Sequence, residues 1–135
     1  MTDIVDRETR SKMMSRIRGR DTRPELMLRS ALRRQGLRGY RCHYPRAPGT
    51  PDIAFVGRRV AIFVDGAFWH GHPDYFTFGK SGERWDAKIR RNMERDREVD
   101  SDLLSQGWRS IRVWDFEILE NSDRVALRLA PSLCD

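Results

Sequence analysis

The order of apolar and polar positions predicts a basic helix near the start of the chain. Residues 6–20 (DRETRSKMMSRIRGR) place Met13, Met14 and Ile17 at roughly helical spacing among basic side chains. Gly19 is a plausible end for this helix. Such a helix presents positive charge along much of its surface.

A second helix is predicted by a capping box. In TRPE, residues 22–25, Thr22 suits the N-cap and Glu25 suits the third helical position, with a proline in the first turn. Gly36 suits the position that follows the last turn. The residues expected to face the core are Leu28, Ala31 and Leu32.

Strand patterns replace the helical period after Gly36. Residues 37–44 (LRGYRCHY) are compatible with a strand, and PRAPGTP then predicts a turn-rich loop. Residues 52–56 (DIAFV) and 60–65 (VAIFVD) are short apolar strands separated only by GRR. Because this connection is so short, we expect the two strands to form an antiparallel hairpin.

The remaining chain predicts a long helix and a further strand. Residues 83–106 suit a helix that stops at Gly107, with Asp96 at a position where another apolar residue would be expected. Residues 108–116 (WRSIRVWDF) alternate well enough for a strand. The apolar side chains spaced by four along the helix are Trp85, Ile89 and Met93.

A last helix completes the predicted order of elements. Residues 122–130 (SDRVALRLA) suit a helix capped by Ser122 or Asp123. Helices before, between and after the strands predict an α/β or α+β fold with one central mixed β-sheet flanked by helices. We expect residues 1–135 to form a single domain, since no long polar spacer divides them.

Composition and charge favour a nucleic-acid partner over a merely solubilising charge. The chain has 135 residues and a net charge of +6, and residues 1–46 carry 13 Arg or Lys against 5 Asp or Glu. Most basic residues are arginine, whose planar guanidinium binds phosphate in a bidentate manner. No apolar run predicts a membrane span or signal core, and Cys42 and Cys134 have no metal-type or disulfide spacing. We therefore expect a cytoplasmic protein.

Acidic residues at the ends of the hairpin strands are candidate metal ligands. With the turn in the middle of GRR, Asp52 lies opposite Phe63 or Val64. The Asp52 carboxylate and the Val64 carbonyl would offer the hard oxygen ligands that Mg²⁺ prefers. Asp65 would join them in only one strand register. The alternative is that the two aspartates merely cap a turn and end a strand.

His70 is a candidate general base. It follows two aromatic residues beyond the same strand end, and an unperturbed histidine pKa of about 6.5 suits proton abstraction near neutral pH. A satisfied core or surface histidine is the alternative. His70 and His72 would also suit the start of a zinc site, but zinc usually needs three or four Cys or His ligands. The only further candidates are Asp74 nearby and the distant Cys42 and His43, so we expect no structural zinc.

Other polar and aromatic residues leave two interpretations open. Phe68 and Trp69 would wedge between base pairs at the rim of a basic site, or pack in a small core under the following loop. Asn92 and Asp96 lie four residues apart on one helix face, where they would orient a catalytic group or form a solvated edge. Glu25 is explained by the capping box alone.

Taken together, these segments resemble the very short patch repair (Vsr) endonucleases, the mismatch-nicking branch of the restriction-endonuclease-like PD-(D/E)XK nuclease fold. The likeness runs from about Asp6 to Trp114 and rests on TRSKMMSRIRGRDT, Glu25, QGL, PGTPD, VAIFVDG, AFWHGH, NMERDR and GWRSIRVW in this order. The resemblance implies a magnesium-dependent enzyme that cuts one DNA strand beside a thymine mispaired with guanine. Mismatch-repair proteins or a cytosine methyltransferase are candidate partners, and we expect a monomer.

The resemblance also implies roles for individual residues. Asp52 matches the metal-binding aspartate, the Val64 carbonyl matches the second metal contact, and His70 matches the general base. Polar positions around the active site correspond to Glu25, Asn92 and Asp96. The intercalating side chains correspond to Phe68, Trp69 and, from the opposite groove, Met14. In residues 1–20, a DNA-binding segment, phosphate contacts are expected from Lys12, Arg16, Arg18 and Arg20.

The zinc ligands of well-known family members are missing from this sequence. Ala67, Asp74 and Phe116 stand where cysteines would be expected, and only His72 remains. Without zinc, we expect the region from Ala67 to Trp85 either to be held by packing through Tyr75, Phe76 and Phe78 or to be ordered only on DNA. Asp65 stands where the best-known pattern has a histidine, and would add a carboxylate near the metal.

Two further functions compete with the mismatch endonuclease. One is a module that binds mismatched or distorted DNA without cutting it, which would use the basic segment and the aromatic residues. Such a module has no need of Asp52, His70 and Asp96 together. The other is a nickase of relaxed specificity.

Overall fold

A computed structural model of the protein describes residues 20–134. The basic helix predicted over residues 6–20 therefore lies outside the described residues except for Arg20, which is exposed. No helix within the described part is long and apolar enough to span a membrane. Cys42 and Cys134 are both free thiols.

Helix α1, Arg23–Arg34, begins at the predicted capping box. The Thr22 side chain accepts from the Glu25 N–H, and the Glu25 side chain accepts from the Thr22 N–H. Gly36 follows the last turn with φ of 78°, a left-handed conformation that glycine adopts without steric strain. The predicted core residues Leu28, Ala31 and Leu32 are fully buried.

Four strands form one mixed sheet in the order β1-β2-β3-β4. Strand β1 (Arg41–Cys42) pairs antiparallel with β2 (Ile53–Phe55), and β2 pairs antiparallel with β3 (Val60–Asp65) in the predicted hairpin. Strand β4 (Arg109–Trp114) then pairs in parallel with β3. This topology confirms the central mixed sheet.

The first two strands are shorter than the sequence predicts. Of residues 37–44, only two join the sheet, because Gly39 and His43 on either side adopt positive φ of 84° and 49°. Such left-handed residues turn the chain out of the extended conformation. At the hairpin, a 3₁₀ turn begins at Val56 and ends β2 one residue early.

Helix α2, Glu83–Ser105, connects β3 to β4 and lies within one residue of its prediction. Helix α3, Asp115–Leu133, starts directly after β4, so the strand predicted over residues 108–116 is two residues too long at its end. The Asp115 carboxylate accepts from the N–H groups of Ala67 and Phe116, which favours the helical turn at this point. The sequence pattern contains no sign of that tertiary contact.

The predicted cap at Ser122 or Asp123 is wrong. Helix α3 is interrupted at Asn121, whose φ of −160° and ψ of 89° are not helical. The Asn121 side chain accepts a hydrogen bond from the Arg124 N–H at 3.0 Å. Asparagine is among the strongest N-cap residues, and it begins the second half of the helix.

Each face of the sheet has its own hydrophobic core, because side chains alternate between the faces along a strand. Ile53, Ile62 and Val113 lie in the larger core, which includes buried residues of α1 and α3. Ala61 and Phe63 lie in the smaller core, whose other members include Leu103 of α2 and Trp108. The sheet is therefore flanked by helices, as predicted.

Aromatic packing holds the segment between β3 and α2, residues 66–82. The Tyr75 ring stacks on Phe116 at 5.0 Å, and His72 packs edge-on against Phe116 at the same distance. Phe76 is buried and lies edge-on to Phe78. The packing predicted through Tyr75, Phe76 and Phe78 is thus present, with Phe116 as a member that the sequence pattern did not include.

Candidate active site

A cleft of about 660 Å³ opens where β2 begins and β3 ends. Because the two strands are antiparallel, the start of one lies beside the end of the other. Helices α1 and α2 and the turn after β3 close the other sides. Its walls include the predicted site residues Glu25, Asp52, Val64, Asp65, Trp69, His70, Asn92 and Asp96.

Asp52 is held at the start of β2 by the loop that precedes it. Gly49 in this loop has φ of 77°, and a Cβ there would lie 2.5 Å from Val99 of α2, so only glycine allows this close packing. Asp52 Oδ2 accepts a hydrogen bond from the Val64 N–H at 2.7 Å. Burial raises the pKa of Asp52 to about 6, and the Val64 hydrogen bond and nearby His43 offset only part of that effect.

The Val64 carbonyl belongs to the same strand end. Along a strand, the N–H and C=O of one residue point to the same side, so the Val64 carbonyl is directed toward the side of Asp52. The antiparallel ladder has Ile53 and Ile62 as its last pair and stops short of Val64. A carboxylate and a carbonyl beyond the end of a ladder are hard oxygen donors, which fit Mg²⁺.

Asp65 lies on the same sheet face as Asp52, which is the register that the metal prediction required. Asp65 is buried, and Arg112 Nη1 donates to both of its carboxylate oxygens at 3.1 and 3.2 Å. Burial raises the pKa of Asp65, because the charges of His70 and Arg112 offset that effect only in part. Arg112 was not among the predicted site residues, although a charged residue between the apolar Ile111 and Val113 of a strand is a signal.

His70 is positioned by a tight turn that packs on α2. Gly71 next to it has φ of 74°, and a Cβ there would lie 2.5 Å from Met93 Sδ, so glycine permits the contact. His70 Nδ1 lies 2.5 Å from Asp96 Oδ2. An ionised carboxylate only accepts hydrogen bonds, so the proton is on Nδ1, and Nε2 lies on the side of Asp65 Oδ1, 3.8 Å away.

Opposing effects set the basicity of His70. Burial lowers its pKa, but the hydrogen bond to Asp96 and the charges of Asp65 and Asp96 raise it, and the result lies above the ordinary value of 6.5. A histidine whose Nδ1 is oriented by a carboxylate has the arrangement of a general base. Asp96 therefore orients His70. Of the two interpretations of Asn92 and Asp96, this contact agrees with the one in which they orient another side chain, and not with a solvated edge.

Glu25 lies in the wall of the cleft formed by α1, and its contacts go beyond the capping box. Its Oε1 lies 3.4 Å from both Arg29 Nη2 and His43 Nε2. His43 Nδ1 in turn lies 3.9 Å from Asp52 Oδ1. The capping box therefore explains only part of the role of Glu25. No motif in the sequence points to Arg29 or His43 at this site.

Phe68 and Trp69 pack against other aromatic rings, as in the second of their two interpretations, but both stay half-buried. The Phe68 ring lies edge-on to Trp69 and to Trp85 of α2, and Lys88 Nζ lies 5.0 Å from the Trp69 ring centre. Asn92 Nδ2 donates to the Trp69 carbonyl at 2.9 Å and so fixes the turn before His70. Stacking of these rings on DNA stays a prediction.

The remaining predicted contacts with DNA involve the start of the chain. Arg20 is exposed. The other residues of that prediction lie outside the described residues, namely Lys12, Met14, Arg16 and Arg18.

A mixed sheet with oxygen donors at a strand end and a carboxylate-oriented histidine in the same cleft defines the class of nuclease-like α+β domains. Comparison with known families is more specific. Residues 2–75 match the model of the family described as DNA mismatch endonuclease Vsr. The chain belongs to the Vsr family.

Curated relatives of this chain carry two kinds of name. The DNA mismatch endonuclease Vsr of Escherichia coli is 42% identical over 117 residues, which cover 85% of this chain and 74% of the relative. The type II nicking enzyme V.NaeI of Lentzea aerocolonigenes is 44% identical over 119 residues, 84% of this chain and 71% of the relative. The type II nicking enzyme V.XorIIP of Xanthomonas oryzae pv. oryzae is 42% identical over 120 residues, 87% of this chain and 88% of the relative.

Proposed function

We propose that this protein is a magnesium-dependent DNA endonuclease that nicks one strand of a duplex beside a T:G mismatch. The observation that carries the proposal is the His70–Asp96 pair in the same cleft as the oxygen donors Asp52 and Val64. Membership of the Vsr family supports double-stranded DNA as the substrate. A mismatch endonuclease among the relatives supports the T:G substrate.

The proposed reaction is hydrolysis of a phosphodiester. His70 Nε2 accepts a proton from water as the water oxygen bonds to phosphorus and the bond to the 3'-oxygen breaks. The departing 3'-oxygen takes a proton from solvent, so the products are a 5'-phosphate and a 3'-hydroxyl. Asp96 keeps the Nδ1 proton in place and stabilises the imidazolium that forms. Asp52 and the Val64 carbonyl would hold Mg²⁺, which when bound offsets the charge that develops on the phosphate oxygens.

DNA binding would depend on other residues of the chain. The basic segment of residues 1–20 would contact phosphates without reading the sequence. Met14, Phe68 and Trp69 would open the base stack, which is less costly at a mismatch. One active site is enough to cut one strand, so we propose that the enzyme acts as a monomer in the cytoplasm, with all 135 residues in one nuclease domain.

Strand cleavage on a denaturing gel tests this function. A duplex with one T:G mismatch and labels of different colour on its two strands is incubated with the protein and Mg²⁺ or with EDTA. We expect one labelled strand to be cut in Mg²⁺ only. Asp52→Ala and His70→Ala should lose nicking but retain binding, whereas Asp74→Ala, an exposed aspartate near His70, should nick normally. A duplex that is bound but stays intact with every metal tested would instead identify a binding module.

A second candidate is a nickase that accepts more than one mismatch, and the relatives named type II nicking enzymes favour it. The same assay with all mismatches and a fully paired duplex separates the two functions. Equal cutting of several mismatches or of paired DNA would replace the T:G proposal with the relaxed nickase.

A further inference from the structure

Two groups of side chains that are typical metal ligands lie near Asp52 in the described part of the chain. In each group, one ligand atom from every residue lies within 4.8 Å of the others. The first group consists of Asp65, His70 and Asp96, and the second of Asp21, Glu25 and His43. Each group combines two carboxylates with an imidazole, so by composition alone either would be a candidate for a divalent cation.

An arginine already occupies the first group. Arg112 Nη1 donates to both oxygens of Asp65 and lies 3.4 Å from Asp96 Oδ1. Its Nε and Nη2 donate to Asp100, and its guanidinium lies 4.3 Å from the centre of the Phe63 ring. These contacts fix the guanidinium on three sides. A divalent ion held by Asp65 and Asp96 would have to lie beside this positive charge.

A second arginine occupies the other group in the same manner. Arg29 Nη2 lies 2.8 Å from Asp21 Oδ1, 3.1 Å from His43 Nε2 and 3.4 Å from Glu25 Oε1. Its Nε is buried without an acceptor among the described residues. Among the described residues, its ion-pair and hydrogen-bond contacts are all made by Nη2.

Asp52 differs from the carboxylates in both groups. Among residues 20–134 it pairs with no arginine or lysine, and its nearest partners are the Val64 N–H at 2.7 Å and His43 Nδ1 at 3.9 Å. Its side chain keeps 21% of its surface exposed, on the cleft. It is therefore a reachable carboxylate with a neighbouring carbonyl and without a fixed cation.

We propose that Arg29 and Arg112 are positioning residues that fill the two histidine–carboxylate groups with fixed positive charge and so direct the divalent cation to Asp52. Arg112 also holds its carboxylates in place, since its planar guanidinium donates to Asp65 and Asp100 through three nitrogens. Arg112 thereby keeps Asp65 and Asp96 on either side of His70. The inference rests on the proposed metal-dependent function and makes Asp65 a partner of Arg112 rather than a metal ligand.

Binding of Mn²⁺ to the full chain, measured through the electron paramagnetic resonance signal of the free ion, tests this inference and requires no DNA cleavage. Asp52→Asn should weaken Mn²⁺ binding by more than about tenfold, whereas Asp65→Asn and Glu25→Gln should change it by less than about threefold. The Glu25→Gln variant retains the capping box, because glutamine also suits its third position.

Removal of a guanidinium should create a new ion site. Arg112→Met should bind one more Mn²⁺ per chain than the natural protein, because Asp65, His70 and Asp96 are released. Arg112→Lys restores the positive charge and should return the number of ions to that of the natural protein. Arg109→Met, on the same strand, removes an exposed arginine as the matched control and should bind as the natural protein does.

The inference is overturned if Asp65→Asn or Glu25→Gln weakens Mn²⁺ binding as much as Asp52→Asn does, or if folded Arg112→Met gains no ion. If Arg112→Met does not fold, the comparison of the three carboxylate variants decides alone. A protein that binds Mn²⁺ and nicks DNA but loses the ion in Asp65→Asn refutes this inference and leaves the proposed function intact. A protein that neither binds Mn²⁺ nor nicks refutes both.

Discussion

Replacing Asp52 by asparagine should make the metal-free protein more stable at neutral pH. The Asp52 carboxylate is mostly buried, with 21% of its side chain exposed, and it has no arginine or lysine partner in the described part of the chain. An asparagine in the same place retains an oxygen that accepts from the Val64 N–H. The substitution therefore removes a charge that is unfavourable in the folded state and retains the hydrogen bond.

The size of the effect follows from the pKa of Asp52. Burial raises this pKa from 3.8 to about 6. In the pH range between these two values, the folded protein still binds the proton that the unfolded chain has already released. Stability therefore falls as pH rises through this window, by about 3 kcal/mol for a shift of this size. The asparagine variant has no such loss. At pH 8 it should be about 2 to 3 kcal/mol more stable than the natural protein, and near pH 3.5 the difference should vanish.

Urea unfolding in EDTA, repeated at several values from about pH 4 to about pH 8, measures this difference directly. Asp102→Asn on helix α2 is the control for a change of net charge, because Asp102 is exposed. Adding Mg²⁺ at pH 8 should stabilise only proteins with the aspartate, since a ligand stabilises the state that binds it. The reasoning is refuted if the Asp52→Asn variant is less stable at pH 8, or if its advantage is the same at every pH.

Three further substitutions test the geometry of the cleft and its surroundings. Asp96→Asn should lower the nicking rate about 10² to 10⁴-fold. It should also shift the acidic limb of the pH–rate profile to lower pH, because the pKa of His70 falls without the carboxylate. Single-turnover nicking at several pH values measures both effects. Gly71→Ala should destabilise the protein by about 2 to 4 kcal/mol in urea, since φ is 74° and the new Cβ meets Met93. Phe116→Ala should cost roughly 2 kcal/mol and speed hydrogen exchange in residues 66–82, which its ring packs against.

Exposed residues supply the controls for these three variants. Leu104 on α2 is 76% exposed, so Leu104→Ala should change stability by less than about 0.5 kcal/mol. Asp102→Asn should leave nicking unchanged. An Asp96→Asn variant that nicks at the normal rate would show that the Asp96–His70 hydrogen bond does not contribute to nicking. Uniform exchange in the Phe116→Ala variant would show that other contacts hold the segment.

Local chemistry made much of the fold predictable. The capping box of α1 and the hairpin of β2 and β3 depend on neighbouring residues, so a short window of sequence contains the information. The predicted end of β4 was wrong because a long-range contact determines where the strand ends. Asp115 accepts a hydrogen bond from the Ala67 N–H, and no residue near Asp115 in the sequence indicates that this contact forms. Tertiary contacts of this kind override local propensity.

The parts of the candidate site that depend on strand register and on helix spacing could be predicted in part from the sequence. The sequence left two strand registers open, and the structure has the one that puts Asp52 and Asp65 on the same face. Helix spacing predicted that Asp96 shares a face with Ile89 and Met93, but not that this face meets the turn with His70.

Arg112 was not predicted because its partners lie on other elements. Arg29 was not singled out, although Glu25 lies one helical turn before it, because arginines are common in so basic a chain. Pairing of charges across elements is visible only in three dimensions.

Charge balance explains why two buried aspartates at one strand end behave differently. Asp65 is buried beside Arg112, so its charge has a permanent counter-ion and its position is fixed. Asp52 is mostly buried and has no arginine or lysine partner among residues 20–134, so its charge is unfavourable until a cation binds. A cation that binds there relieves this penalty, whereas binding at Asp65 would relieve a smaller one, because Arg112 and His70 already offset part of the effect of burial. The difference in free energy between the two carboxylates therefore favours Asp52 as the metal ligand, independently of any likeness to other proteins.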